Sequence, residues 1–148
     1  MKFRCERDTL SEVLGSAGRA ASTGRGTLSV LGCLKLALEG QKLTVTGTDL
    51  DLTIVANVTV AGEEDGEAAI PAKLAFDLVR SLDSGAIDIV TDGDEAVISQ
   101  DRSRFSVRLS RLEEFPQLGE PAAESITLDA EAFAEGLKQV VKAASNDD

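Results

Sequence analysis

Few side chains in this sequence can hold a proton, a metal or a phosphate. Histidine is absent, which excludes a serine triad, an imidazole base and a His-ligated metal site. Two aspartates flank a leucine in Asp49-Leu50-Asp51. On a strand, positions i and i+2 share a side, and paired carboxylates can hold a divalent metal for phosphoryl or glycosyl transfer. No further ligand stands at metal-binding spacing, so the pair reads more simply as a turn entering a strand. Cys5 and Cys33 have no CxxC spacing and read as small buried hydrophobes of a reduced, cytoplasmic chain. Gly24-Arg25-Gly26 lacks both the spacing and the setting of a phosphate loop. No cofactor and no metal is called for.

Cations are what remain. Arg25 sits in a Gly-flanked polar loop, and on sequence alone it is a solvated loop arginine. Lys73 falls in the first turn of a predicted helix, where a positive charge opposes the helix dipole. Arg80 follows seven residues later, about two turns on, and can share its face. Arg19, Lys138 and Lys142 are further cations on predicted helices. Arg102 and Arg104 lead into Phe105, a pattern that ordinary core packing on an edge strand also produces. Against these stands a balance of 15 basic and 26 acidic residues, net charge −11. Such a composition argues against a conventional phosphate-binding surface. The distribution is uneven, however. Residues 61–70 and 92–95 hold acids without a base, whereas residues 7–26 hold three arginines against Asp8 and Glu12.

The elements that must position these residues follow from periodicity. Phe3 and Cys5 alternate in a short strand, Lys2 to Glu6. Thr9 and Glu12 then form a capping box, and Leu10, Val13, Leu14 and Ala17 recur at helical spacing. Gly15 and Gly18 weaken that helix by about 1 kcal/mol each relative to alanine, so it needs tertiary support. Leu34, Leu36 and Leu38 alternate, as do Leu43 and Val45. Leu50, Leu52, Ile54, Ala56 and Val58 predict the longest strand. Glu63 to Glu67 read as an acidic loop. The pattern then restarts. Ala68-Ala69-Ile70 is a strand, and Pro71 is the first position of a helix with an apolar stripe of Leu74, Ala75, Leu78, Val79 and Leu82. Strands follow around Ile87 and Ile89, Val97, and Phe105, Val107 and Leu109, separated by turns at 92–94 and 101–103.

Strand, helix, strand, strand, strand thus occurs twice, which reads as an internal duplication. Leu34 matches Ile87 and Leu52 matches Phe105, both 53 residues apart, and the helix starts Thr9 and Pro71 are 62 apart. Each half has one apolar sheet face that it cannot bury alone. Two halves packed with both helices on one side can. With 148 residues, 43% hydrophobic and only five Phe, the core must be aliphatic. No stretch approaches the roughly 18–20 apolar residues that span a bilayer, and the charged start, Met1 to Glu6, is unlike a signal peptide. The expected fold class is α+β.

Several stretches, in order and at these distances, resemble the bacterial sliding clamp family, the beta subunit of DNA polymerase III, in its N-terminal domain. They are Met1-Lys2-Phe3, Thr44 to Leu50, Ile70-Pro71-Ala72-Lys73, Ser103-Arg104-Phe105-Ser106 and Phe115-Pro116. The resemblance implies a DNA-clamp fold and a non-enzymatic processivity factor of the replicative polymerase. Two protomers would form a head-to-tail ring around duplex DNA, with helices lining the hole. It implies DNA contacts at Arg25, Lys73 and Arg80. It also implies a protomer interface at Phe105, Arg102, Arg104 and Leu74, although the family often carries a charge at the last position. Residues 1–118 would be a first clamp domain and 119–125 a linker. Residues 126–148, with Ile126-Thr127-Leu128 as a strand and a helix capped by Asp129, would open a truncated second domain. Polymerase and clamp-loader subunits would bind parts of the clamp absent here. The alternatives are a stand-alone acidic domain that recruits peptides by strand addition, and a metal-dependent transferase using Asp49 and Asp51.

Overall fold

The computed structural model describes residues 1–21, 29–119 and 127–144, which fall into two units, Met1–Gln117 and Leu118–Asp148. In the first unit, β1 (Lys2–Glu6) buries Phe3 and Cys5 and runs without a break into α1 (Arg7–Gly18). Here the expected capping box is corrected: Glu6 is the N-cap, no side chain caps the helix, and Thr9 already lies inside it. The reason is the direct strand-to-helix join, which leaves the first turn to be anchored by tertiary contact. The Arg7 N–H donates to the Gly85 carbonyl at 2.8 Å.

Three strands follow: β2 (Cys33–Glu39), β3 (Lys42–Thr48) and β4 (Thr53–Thr59). The fourth element is shorter than its hydrophobic pattern predicts. Leu50 and Leu52 are 62% and 51% exposed and belong to the turn before β4. Asp49 Oδ1 holds that turn by accepting the N–H groups of Asp51 at 3.1 Å and Leu52 at 2.7 Å. Thr48 Oγ1 donates to the Leu52 carbonyl at 3.1 Å. A second correction concerns residues 63–67. They are not a loop but the end of β5 (Ala61–Glu64) and the start of β6 (Gly66–Pro71), joined at Asp65, with Glu63, Glu64, Asp65 and Glu67 exposed. Next come α2 (Ala72–Ser81), with Pro71 as its N-cap, and the strands β7 (Ala86–Asp92), β8 (Glu95–Gln100) and β9 (Ser103–Arg108).

The sheets are antiparallel, in the orders β5-β1-β7-β8-β9 and β4-β3-β2-β6. The first strand of each half therefore pairs in the sheet of the other half. Cys5 lies opposite Ile87, and Ile70 opposite Leu34. These equivalent pairings relate the halves by an approximate dyad. Strands β2 and β7 keep the offset of 53, but the helices start at Arg7 and Ala72, 65 apart and not 62. The match of Leu52 with Phe105 also fails. Phe105 lies opposite Ile98, whose counterpart Val45 lies opposite Ala56, because the first-half turn at 49–52 is longer than the turn at 101–102.

Both helices pack against each other and against the sheets on one side. The shared core is aliphatic. Leu10, Leu14 and Ala17 of α1 and Ala72, Ala75 and Val79 of α2 meet Leu34, Leu43, Ile87 and Ile98 of the strands. The second unit contains α3 (Ala130–Val140), and Asp129 caps it by accepting the Ala132 N–H at 2.8 Å. Phe133, Leu137 and Val140 stand exposed on it. Thr127 and Leu128 form no strand, since a strand needs a neighbour to pair with and none exists among the described residues of this unit. Ile126 lies outside the described residues. No described helix is long and apolar enough to cross a membrane.

Candidate functional site

Lys73 stands exposed in the first turn of α2, and Arg80 exposed at its last turn. Seven residues of helix separate them by about 10 Å. The Arg80 guanidinium lies over the Phe76 ring, 6.0 Å from its centroid, so an aromatic face one turn earlier holds the charge in place. Phe76 in turn rests on α1, where an alanine Cβ at Gly15 would come within 2.9 Å of its Cε2. Gly15, which weakens α1 locally, is thus what lets the two helices approach.

Between them runs an open groove of about 390 Å³, floored by Leu14, Gly15, Gly18, Ala72 and Phe76 and flanked by Arg19 and Lys73. Arg19 is the C-cap of α1. The sequence singled out Lys73 and Arg80 but left Arg19 and Phe76 in the background. The i, i+4 spacing of Phe76 and Arg80 is the signal that could have found the latter. Arg25 lies outside the described residues.

Ion pairing divides the described cations of the first unit in half. In the first unit Lys2, Arg4, Arg7, Lys35, Arg108 and Arg111 each meet an acid within 4.0 Å. Among the described residues of that unit Arg19, Lys42, Lys73, Arg80, Arg102 and Arg104 meet none.

Arg102 and Arg104 belong to the second candidate surface. Strand β9 ends its sheet, and its alternation places Phe105 and Val107 inward and Arg104, Ser106 and Arg108 outward. The acids of 92–95 meet that outer face: Asp94 pairs with Arg108 at 3.7 Å, and Glu95 accepts from Ser106 Oγ at 2.5 Å. Phe105 is half-buried and packs against the core. It serves the fold as well as the edge. Leu74 is 47% exposed on α2, which also packs against β9.

The remaining groups have structural roles. Asp49 holds its turn through two N–H groups, a capping arrangement that accounts for its carboxylate without a metal. Burial raises the Cys5 thiol above its ordinary value of 9.0, so the thiol stays protonated and inert. The hydrogen bond and charge of Glu63 raise the Lys2 ammonium.

Paired helices on one side of two antiparallel sheets, generated by an internal dyad, define a clamp-type α+β domain. The chain belongs to the family described as DNA polymerase III beta subunit, N-terminal domain, whose pattern matches residues 1–119. It is 32% identical to the beta sliding clamp of Streptomyces coelicolor over all of its own length and 39% of that protein's. It is 37% identical to a Vibrio harveyi beta sliding clamp, over 80% of this chain and 82% of that one. The solved pol III beta of Caulobacter crescentus superposes with a TM-score of 0.90 at 26% identity, covering all of this chain and 40% of the other. The chain thus spans about two fifths of the length of the first curated relatives it matches.

Proposed function

We propose that this chain is the N-terminal part of a replicative processivity factor: in its full-length form, a head-to-tail ring of two protomers that encircles duplex DNA and tethers the polymerase without catalysing a reaction. Residues 1–118 form the first clamp domain, 119–125 a linker, and 126–148 the opening of the second. The observation that carries the reading is a pair of packed helices on which Lys73 and Arg80 stand exposed and in no ion pair, in a chain of net charge −11. Arg25, in the polar stretch that follows α1 in the sequence, is the third DNA contact. A ring linked topologically to its substrate needs only a few long cations on the phosphate backbone, and residual acidity keeps the contact from becoming static.

Strand β9 is the closure edge. Phe105 anchors it, Arg102 and Arg104 meet acids of the neighbouring protomer, and Leu74 adds an apolar contact. The polymerase and clamp-loader subunits bind parts of the ring beyond this chain, and the whole assembly works in the cytoplasm. Strand addition by a free peptide would use the same β9 edge, and family membership favours a protomer there. The test is retention on DNA. A full-length ring carrying this sequence slides off linear duplex and stays on nicked circles; equal retention on both, governed only by salt, overturns encirclement.

A further inference from the structure

The dyad that relates the halves is matched only in part by their charges: Glu12 corresponds to Asp77, but the cations differ. Shifted by the helix offset, Lys73 corresponds to Asp8 and Arg80 to Gly15. The exposed face of α1 begins with Asp8 and Glu12, and only at its C-terminal end does it turn positive, at Arg19. Asp8 is already engaged by Arg7 at 2.9 Å. Arg19 and Lys73 flank one groove, on its two different helices. Gly18 beside Arg19 has no neighbour within 4 Å of where a Cβ would stand, so the approach to this end of the groove is open. Arg80 extends the positive line along α2 and is steadied there by Phe76. Glu12 has its counterpart in Asp77, exposed on α2 one turn from both Lys73 and Arg80, but α2 brackets that acid with two cations, whereas the exposed face of α1 offers one only beyond its acids, at Arg19.

We propose that Arg19 is a further phosphate-contacting residue. One strand of the duplex crosses the helix pair obliquely, from the end of α1 over the groove to Lys73 and on to Arg80. This rests on the DNA-encircling reading above and adds to it a residue and a direction. An arginine at a helix C-terminus is also stabilised by the helix dipole, so the test must read DNA contact and not stability.

The 148-residue chain, isotopically labelled, is titrated at low ionic strength with a short mixed-sequence duplex while its amide and arginine side-chain resonances are followed. Salt-reversible shifts are expected at Gly18, Arg19, Lys73, Phe76 and Arg80, with Asp8 and Glu12 unmoved. The variant Arg19→Gln should lower the slope of log affinity against log salt by about 0.9, as loss of one phosphate contact does, with its resonances elsewhere unchanged. Shifts at Lys73 and Arg80 without Arg19, or an unchanged slope in the variant, overturn the role of Arg19 and leave the helix-face reading standing. Shifts along Asp8 and Glu12 overturn the oblique path. Shifts confined to the sheets, or none at all, overturn the helix-face reading and this inference with it.

Discussion

The two halves of the first unit share a backbone plan but solve one packing problem in different ways. Gly47 on β3 and Gln100 on β8 are counterparts, 53 positions apart, each beneath the C-terminal end of its helix. At Gly47 a Cβ would overlap the Ala17 carbonyl oxygen, so α1 settles directly on its sheet. In the second half the buried Gln100 fills the corresponding space and donates to the Asp83 carbonyl at 3.0 Å. Backbone contact fixes one helix and a side-chain bridge fixes the other. The lesson is that duplicated topology does not imply duplicated tolerance: the first half accepts no side chain where the second requires one.

The sharpest way to break this comparison is to exchange the residues. Gly47→Gln pushes a side chain into a main-chain oxygen that cannot move without unseating α1. We expect a loss of more than about 3 kcal/mol, at or beyond the upper end of overpacking costs, read as a collapse of the denaturation midpoint. Gln100→Gly removes one buried side chain and strands one carbonyl, for about 1–3 kcal/mol. If the first exchange costs no more than the second, the asymmetry is wrong.

The sheet edges offer a second contrast. Strand β4 exposes Thr53, Val55, Asn57 and Thr59, whereas its counterpart β9 exposes Arg104 and Arg108. In a full-length ring, Arg104→Glu should shift the protein toward monomer on a sizing column, while Thr53→Glu should not produce that shift. The Phe105→Ala change should do the same but also lose about 2 kcal/mol of fold stability, because the ring rests on the core. An unchanged dimer in both β9 variants retires the interface role.

A smaller effect links the Cys5 thiol to pH. The raised Cys5 thiol favours the folded state while it is protonated. Its contribution is complete below the ordinary value of 9.0 and fades as pH climbs through the raised value. Alkylation of native protein at neutral pH should therefore leave Cys5 unmodified, and denaturant should release it.

How much of this was legible in the sequence depends on which contacts set each feature. Local alternation located nearly every strand, because burial imposes a period of two wherever one face is covered. It failed at Leu50 and Leu52, whose apolar character continues the β4 pattern while Asp49 bends the backbone away from it. The capping box failed because a strand, and not a loop, delivers the chain into α1. The exchange of β1 and β6 between sheets had no local signature at all, since pairing partners lie far apart in sequence. The cations of the site were visible as residue types. Their lack of ion pairs was not, because four other cations, Lys2, Arg4, Lys35 and Arg108, are neutralised by acids that only the fold brings near. Lys35 and Glu67, for example, meet at 2.9 Å.

The crossing of β1 into the sheet of β7 also bears on biosynthesis. The first strand to leave the ribosome has its register partner more than eighty residues downstream, Phe3 opposite Ile89. Until that stretch emerges, β1 has only its short pairing with β5, Phe3 opposite Gly62, and Cys5 has no mate, so the nascent chain must carry an apolar strand half-protected. Long-range pairing of this kind slows folding and lengthens exposure to aggregation. Neither half can finish first, so translation pauses before residue 90 should increase the demand for chaperones, and pauses after residue 109 should not.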